Sequence, residues 1–129
     1  MKGREAEYKA SFANMLKMLQ LLHSSGITFV PGTDAFPGFM LHHELELYAK
    51  AGVSNAEVLK KATYTSALVA GKDSELGSIE VGKKANLILV DGDPVKNISD
   101  IRKVELTVKG GRLYDPKAMY ASYGFGFWK

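Results

Sequence analysis

The sequence contains no cysteine and no long apolar segment. Without cysteine the chain can form no disulfide, no zinc knuckle and no thiol nucleophile, so these kinds of site are excluded. The longest unbroken apolar runs are about four or five residues, far short of the roughly 20 that cross a bilayer. The first residues lead into an amphipathic stretch with acidic side chains rather than into an apolar signal core. We therefore expect a cytoplasmic protein with no membrane partner.

The sequence also lacks a strong excess of charge. Lysine and arginine total 17 against 14 for aspartate and glutamate, a formal charge of +3 at pH 7. Lys83-Lys84 and Arg102-Lys103 are short basic pairs beside acidic residues and form no stripe. Because nucleic-acid binders usually carry a basic stripe, we expect no nucleic-acid partner. The length of 129 residues is enough for about one domain, but a complete (β/α)8 barrel needs about 250 residues.

The hydrophobic pattern changes at about residue 75. Before this point, apolar residues at spacings of three and four predict helices around one short strand. After it, short apolar or alternating runs predict strands joined by glycine turns. The predicted helices cover 4–25, run from Leu41 to an end at Gly52, and run from the Ser54 cap to Gly71. The predicted strands cover 27–30, 79–81, 87–90, 104–108 and 112–114, and an aromatic tail covers 118–129. This order predicts an α/β unit followed by a small β layer.

Asp34 is the strongest candidate for chemistry. It follows the predicted strand directly, in a loop that contains Pro31-Gly32 and Pro37-Gly38. Active sites of α/β folds lie at the carboxyl ends of strands, where a carboxylate can bind a metal or act as a general base. Aspartate also caps turns and helix starts routinely, so the residues alone leave a capping role open.

The histidines are weaker candidates. His42 and His43 follow Asp34 closely and could bind substrate or metal. Because neighbouring helical residues point about 100° apart, both cannot face one site in a regular helix. A surface position at the helix start is the alternative for each. His23, beside the apolar stripe of the first helix, is interpreted as structural.

Two glutamates of the second helix are interpreted as surface residues. Glu44 and Glu46, with Lys50, are predicted to form a solvated helix face. Glu46 and Lys50 lie four residues apart, a spacing that favours an ion pair along the helix.

Five segments carry a family pattern: residues 32–35, which contain Gly32-Thr33-Asp34, and residues 44–54, 57–63, 76–94 and 108–114. Together they resemble the C-terminal third of the metal-dependent amidohydrolases, especially the imidazolonepropionase and Xaa-Pro dipeptidase-like (prolidase) branch. The resemblance implies an α/β C-terminal fragment of a (β/α)8 TIM-type barrel followed by part of a small β-sandwich domain. The implied units are 1–75 (last barrel helices and final strand), 76–115 (sandwich strands) and 116–129 (aromatic tail).

The same resemblance implies a role for Asp34. It falls on the family's aspartate of the last barrel strand, which binds a divalent metal, here expected to be zinc. That carboxylate takes a proton from the attacking water and passes it to the leaving amine. His42 or His43 would lie near the loop that faces the substrate. The implied reaction is hydrolysis of a C–N bond in a small-molecule amide, dipeptide or cyclic amide.

Most of the family's metal ligands are absent from this sequence: the first-strand His-x-His pair, the bridging lysine or glutamate, and two further histidines. A catalytic zinc needs about three protein ligands, so one carboxylate cannot hold it. We therefore expect the segment to be inactive alone and to need an N-terminal barrel portion or a second chain. The alternative is a non-catalytic module, derived from such an enzyme, that forms a homo-oligomer through its apolar barrel-facing surface.

Overall fold

The chain has a mixed α/β fold, seen in a computed structural model that describes residues 3–34 and 40–124. Ten elements follow in chain order: α1 (Glu5–Ser24), α2 (Met40–Lys50), α3 (Asn55–Lys60), a π-helix (Lys61–Thr65), α4 (Ser66–Val69), β1 (Leu87–Val90), a 3-10 helix (Ile98–Arg102), β2 (Val104–Lys109), β3 (Arg112–Tyr114) and α5 (Pro116–Ser122). In the described ranges, none of the helices has both the length and the apolar character needed to cross a membrane.

The three strands form one antiparallel sheet in the order β1-β2-β3. Lys109 pairs with Arg112 across a turn in which Gly110 and Gly111 both have positive φ, 57° and 78°. This two-residue turn suits the twist of a hairpin and confirms the predicted one. The strand expected over 79–81 is wrong. Its side chains at Ile79 and Val81 are exposed, and the segment enters a turn closed by the Lys83 N–H and the Glu80 carbonyl, 3.2 Å apart.

The predicted first helix is confirmed as α1, but its apolar face is mostly uncovered. In the described part of the chain none of its residues is buried, and only Leu19 packs against the core. The segment that follows, residues 27–30, was expected to be a strand. It is paired with no other strand in the described ranges, because the only sheet there consists of β1, β2 and β3.

The predicted helix after Ser54 is a continuous helical run that widens in its middle. The Ser54 side chain caps it by accepting a hydrogen bond from the Glu57 N–H at 3.4 Å. The run passes through a π-turn, where both the N–H and the hydroxyl of Ser66 bond the carbonyl of Lys61. Gly77 packs on this turn, and a Cβ there would lie 2.7 Å from the Cβ of Ala67.

The core lies where α2 and α3 meet the 3-10 helix. Its buried members are Leu45, Tyr48, Val53, Val58, Ile98 and Ile101. The Arg102 guanidinium bonds both carboxylate oxygens of Glu46, at 2.7 and 2.9 Å, instead of leaving Glu46 to the predicted pair with Lys50. The Asn55 amide reaches the carbonyls of Val95 and Lys96 from α3. Residues from both sides of position 75 thus hold α2 in place.

The aromatic tail begins with a helix that the sequence interpretation did not include. The Asp115 carboxylate accepts a hydrogen bond from the Lys117 N–H at 2.8 Å, and Pro116 occupies the first turn. Both are common helix-start signals. The remaining aromatic positions of the tail, over 125–129, lie outside the described residues.

Candidate active site

Asp34 follows the carboxyl end of the segment over 27–30, and it is exposed. The segment packs against the core through Phe29, whose ring meets the Tyr48 ring edge-on with centroids 5.1 Å apart. The rest of the predicted loop, including Pro37-Gly38, falls in the range 35–39, which is outside the described residues. The described part of the site is therefore Asp34 and the backbone that leads to it.

Two side chains of α2 hold this backbone. The Gly32 N–H donates a hydrogen bond to Glu44 Oε1 at 3.0 Å. The Tyr48 hydroxyl lies 3.1 Å from the Val30 carbonyl oxygen and 3.0 Å from the same Glu44 oxygen. Burial, together with the neighbouring Glu44 carboxylate, raises the pKa of Tyr48, so the phenol keeps its single proton, which is shared between these two acceptors. Glu44, predicted to lie on a solvated helix face, is half-buried and also holds this backbone.

Phe29 in this segment makes a second set of contacts. The Lys61 ammonium lies 4.1 Å from the centroid of the Phe29 ring and 3.9 Å from a Glu57 carboxylate oxygen. His23 Nδ1 is 3.7 Å from the same carboxylate oxygen, and its ring packs edge-on to Phe29. These contacts agree with a structural role for His23. A surface depression of about 540 Å³ lies here, lined by residues that include Thr28, away from the carboxyl end where α/β active sites form.

His42 and His43 lie in the first turns of α2, beside the Glu46–Arg102 ion pair. Burial and the positive charge of Arg102 lower the pKa of His42, whereas Glu46 acts in the opposite direction. His43 Nδ1 is 3.6 Å from Glu46 Oε2. In the described ranges, no hydrogen bond or ion pair joins either histidine to Asp34. Their assignment to substrate binding stays a prediction.

The donor set for a metal is incomplete in the part of the chain that the structure describes. Among the described residues, no group of three or more histidine, aspartate or glutamate side chains could hold a metal ion. The exposed Asp34 carboxylate has the oxygen chemistry of one ligand to a divalent cation. The residues present therefore fit a contribution to a metal site and not a whole site.

Glu44 and Tyr48 are the site residues that sequence reasoning missed. Their spacing of four places them on one face of α2, the helix that follows Asp34 in the sequence. That spacing was the available signal. The spacing could not show which face of α2 contacts the backbone before Asp34, because the orientation of the helix depends on the core contacts of Leu45 and Tyr48.

The fold is that of a mixed α/β protein in which an exposed carboxylate, Asp34, follows the segment over 27–30. This chain belongs to the amidohydrolase family, whose sequence model matches residues 10–114. Enzymes of that superfamily are generally metal-dependent hydrolases, and this chain resembles a segment of such an enzyme. The predicted resemblance is confirmed.

Individual relatives agree with this assignment. The chain is 31% identical over 113 residues to an imidazolonepropionase of Porphyromonas gingivalis, covering 81% of this chain and 26% of that protein. A solved Xaa-Pro dipeptidase with methionine bound in its active site superposes with a TM-score of 0.73 at 29% identity, over 78% of this chain and 25% of that one. The ochratoxinase of A. niger gives 0.74 at 28% identity, over 89% and 28%. The chain thus spans about a quarter of the length of these relatives.

Proposed function

We propose that this chain is the C-terminal part of a metal-dependent hydrolase that cleaves a C–N bond in a small amide, dipeptide or cyclic amide. The observation that carries the proposal is the place of Asp34. Its carboxylate follows the carboxyl end of the segment over 27–30, on a backbone tied to α2 by Glu44 and Tyr48. Family membership over residues 10–114 supports hydrolysis as the reaction class.

In this proposal Asp34 is both a metal ligand and the residue that moves the proton. A divalent metal, for which zinc is our expectation, supplies Lewis acidity and lowers the pKa of water when it is bound. The Asp34 carboxylate accepts a proton from the water that attacks the amide carbon. It then returns that proton to the leaving nitrogen, so the amine departs neutral. Because Asp34 is exposed, its carboxylate is accessible to the attacking water and to the leaving nitrogen.

The remaining ligands would come from a barrel portion outside this chain, either joined to it or in a second chain. Two features support this completion. The segment over 27–30 has no strand partner in the described ranges, and strands normally satisfy their backbone groups through neighbours. The α1 face that carries Met18 and Leu21 is exposed, at 57% and 64%, although apolar faces of helices usually pack against a sheet or another helix.

The proposed substrate class comes from the relatives. The names of the relatives include a dipeptidase and an imidazolonepropionase. We propose His42 or His43 as a substrate contact, because both lie in the first turn of α2, shortly after Asp34 in the sequence. The pKa of His42 is lowered by burial, which favours a neutral imidazole able to accept a hydrogen bond near neutral pH.

Asp34→Asn in the complete hydrolase, with this chain joined to its barrel portion, is the direct test. The amide keeps the size of the side chain but removes the charge and the proton acceptor. We expect kcat on a panel of dipeptides and cyclic amides to fall by about 10²- to 10⁴-fold. We also expect less metal to be retained per chain after dialysis.

Asp91→Asn is the matched control, since Asp91 is an exposed aspartate in a surface turn. It should keep both activity and metal. Wild-type activity in the Asp34→Asn protein would refute the role proposed for this carboxylate. The isolated chain should be inactive with any metal added.

The exposed face of α1 also favours a second candidate, a non-catalytic module that associates with itself. Tyr8, Met15, Met18 and Leu21 are large apolar side chains left exposed on one helix. A homodimer of the isolated chain could cover them. A dimer mass in sedimentation, unchanged when the barrel portion is added, would favour this candidate over the hydrolase.

A further inference from the structure

The Glu44 carboxylate connects helix α2 to the backbone that precedes Asp34. Its Oε1 accepts a hydrogen bond from the Gly32 N–H at 3.0 Å and lies 3.0 Å from the Tyr48 hydroxyl. The same hydroxyl lies 3.1 Å from the carbonyl of Val30. One carboxylate oxygen and one phenol therefore bond the backbone on both sides of Pro31, just before Asp34.

This arrangement matters because of the residues it fixes. Glycine is the residue with the greatest backbone freedom, and Gly32 stands two positions before Asp34. The N–H of Gly32 is in an exposed residue, so in the absence of Glu44 it would be left to water. Hydrogen bonds to an ionised acceptor are stronger than neutral ones, and a carboxylate at this distance restricts the peptide that it holds.

The other end of the arrangement is anchored in the core. The Tyr48 ring is buried and packs against the Phe29 ring, and Leu45 on the same helix is buried beside it. The position of Glu44 is therefore set by α2 and not by the loop. A rigid support behind a reacting group is what keeps its geometry within the narrow range that catalysis needs.

We propose that Glu44 is a positioning residue for Asp34, acting through the Gly32 N–H, and that Tyr48 supports it. The role as a positioning residue for catalysis rests on the proposed function, because it assigns Glu44 to the same site. Glu44 is given no contact with metal or substrate. Its effect is to hold the backbone that presents the Asp34 carboxylate in one conformation.

The first test measures the backbone itself in the full chain. Amide hydrogen exchange of Gly32 is followed by NMR in wild type, Glu44→Ala, Glu44→Gln and Tyr48→Phe. We expect exchange of the Gly32 amide to rise by about tenfold in Glu44→Ala, which corresponds to about 1.4 kcal/mol. Glu44→Gln keeps a carbonyl acceptor and should recover part of this protection. Tyr48→Phe should give a smaller rise.

Glu46→Ala is the matched control for exchange. It removes a carboxylate from the same helix but leaves the Gly32 contact in place, so Gly32 exchange should stay within about twofold of wild type. Far-UV circular dichroism checks that each variant is folded. If Glu44→Ala does not fold, Glu44→Gln together with Tyr48→Phe decides the result. Unchanged Gly32 exchange in the folded variants overturns the inference, whatever reaction the protein catalyses.

The second test separates positioning from binding in the complete hydrolase. Glu44→Ala should lower kcat by about 10- to 100-fold and leave KM within about twofold, and Glu44→Gln should restore part of kcat. Equal kcat in wild type and Glu44→Ala, while Asp34→Asn is inactive, would refute the positioning role of Glu44. The role proposed for Asp34 would stand. Full activity of Asp34→Asn would instead refute the proposed function, and the Gly32 exchange data would still decide whether Glu44 fixes the backbone.

Discussion

Helices α1 and α2 have similar sequence patterns but different surroundings. Both carry apolar side chains at spacings of three and four. The shorter helix, α2, buries Leu45 and Tyr48, whereas the 20 residues of α1 include none that is buried in the described structure. The difference lies in what covers them, since α2 packs against α3 and the 3-10 helix. An amphipathic pattern thus predicts that the apolar face of a helix will be packed against something. It does not predict that the packing partner lies among the described residues of this chain.

Introducing a charge into the core should have the largest effect. Val58 is 0% exposed, whereas Val69, in the same helical run, is 62% exposed. An aspartate in the core has no partner for its charge, so Val58→Asp should cost about 3 kcal/mol or more of unfolding free energy. Val69→Asp should change it by no more than about 0.5 kcal/mol. Urea unfolding followed by circular dichroism measures both, and equal losses would show that the two sites do not differ in burial.

Removing the charge of Glu46 should have a smaller effect that depends on pH. The hydrogen bonds from Arg102 lower the pKa of Glu46 to about 2, from an ordinary value of 4.5. As pH falls, the unfolded chain takes up this proton before the folded one does. The stabilising contribution is therefore complete above about pH 5 and is lost between about pH 4.5 and pH 2.

Glu46→Gln should accordingly reduce the unfolding free energy by about 1–2 kcal/mol at pH 7, and by much less near pH 2. Urea midpoints at the two pH values give this comparison. Glu5→Gln is the control, because the exposed Glu5–Lys9 pair on α1 should contribute less than about 1 kcal/mol at either pH. A constant difference between wild type and Glu46→Gln across this range would show that the ion pair does not titrate as described.

Charges on the α1 face should have the smallest effect on stability. The double change Met18→Lys with Leu21→Lys replaces two exposed apolar side chains. We expect the unfolding free energy to change by no more than about 0.5 kcal/mol, and self-association, measured by sedimentation, to weaken. A loss of about 2 kcal/mol or more at low protein concentration would mean that α1 is covered within the monomer, and the contrast with α2 would fail.

Local signals predicted the elements that depend on local contacts. The Ser54 cap, the Gly110-Gly111 hairpin and the repeat of apolar residues in α1 are such signals, and each is present in the structure. The π-turn and the 3-10 helix were missed, since they arise from packing: Gly77 lies on the first, and Ile98 and Ile101 enter the core from the second. The runs over 27–30 and 79–81 have strand-like composition, but a strand also needs a partner.

In the candidate site, too, local features could be predicted from the sequence and long-range contacts could not. Asp34 was found from its place after a predicted strand, which is a local feature of the sequence. Glu44 was assigned to solvent, because no local pattern reveals that its carboxylate meets the Gly32 N–H across twelve positions of chain. The pairing of Glu46 with Arg102, 56 positions away, was missed for the same reason. Long-range polar contacts depend on the packing of α2, which a single sequence does not specify.

Lys61 gives the protein an internal chemical reporter. It is the one buried charged residue among those described, 7% exposed, and its amine is covered by the Phe29 ring. An acylating reagent should therefore modify the neighbouring exposed Lys60 readily and reach Lys61 only when the segment over 27–30 lifts from α3. The ratio of the two labelling rates, read by mass spectrometry, would report how firmly the Asp34-bearing segment stays docked. A partner that seals this segment should slow the labelling of Lys61 further and leave that of Lys60 unchanged.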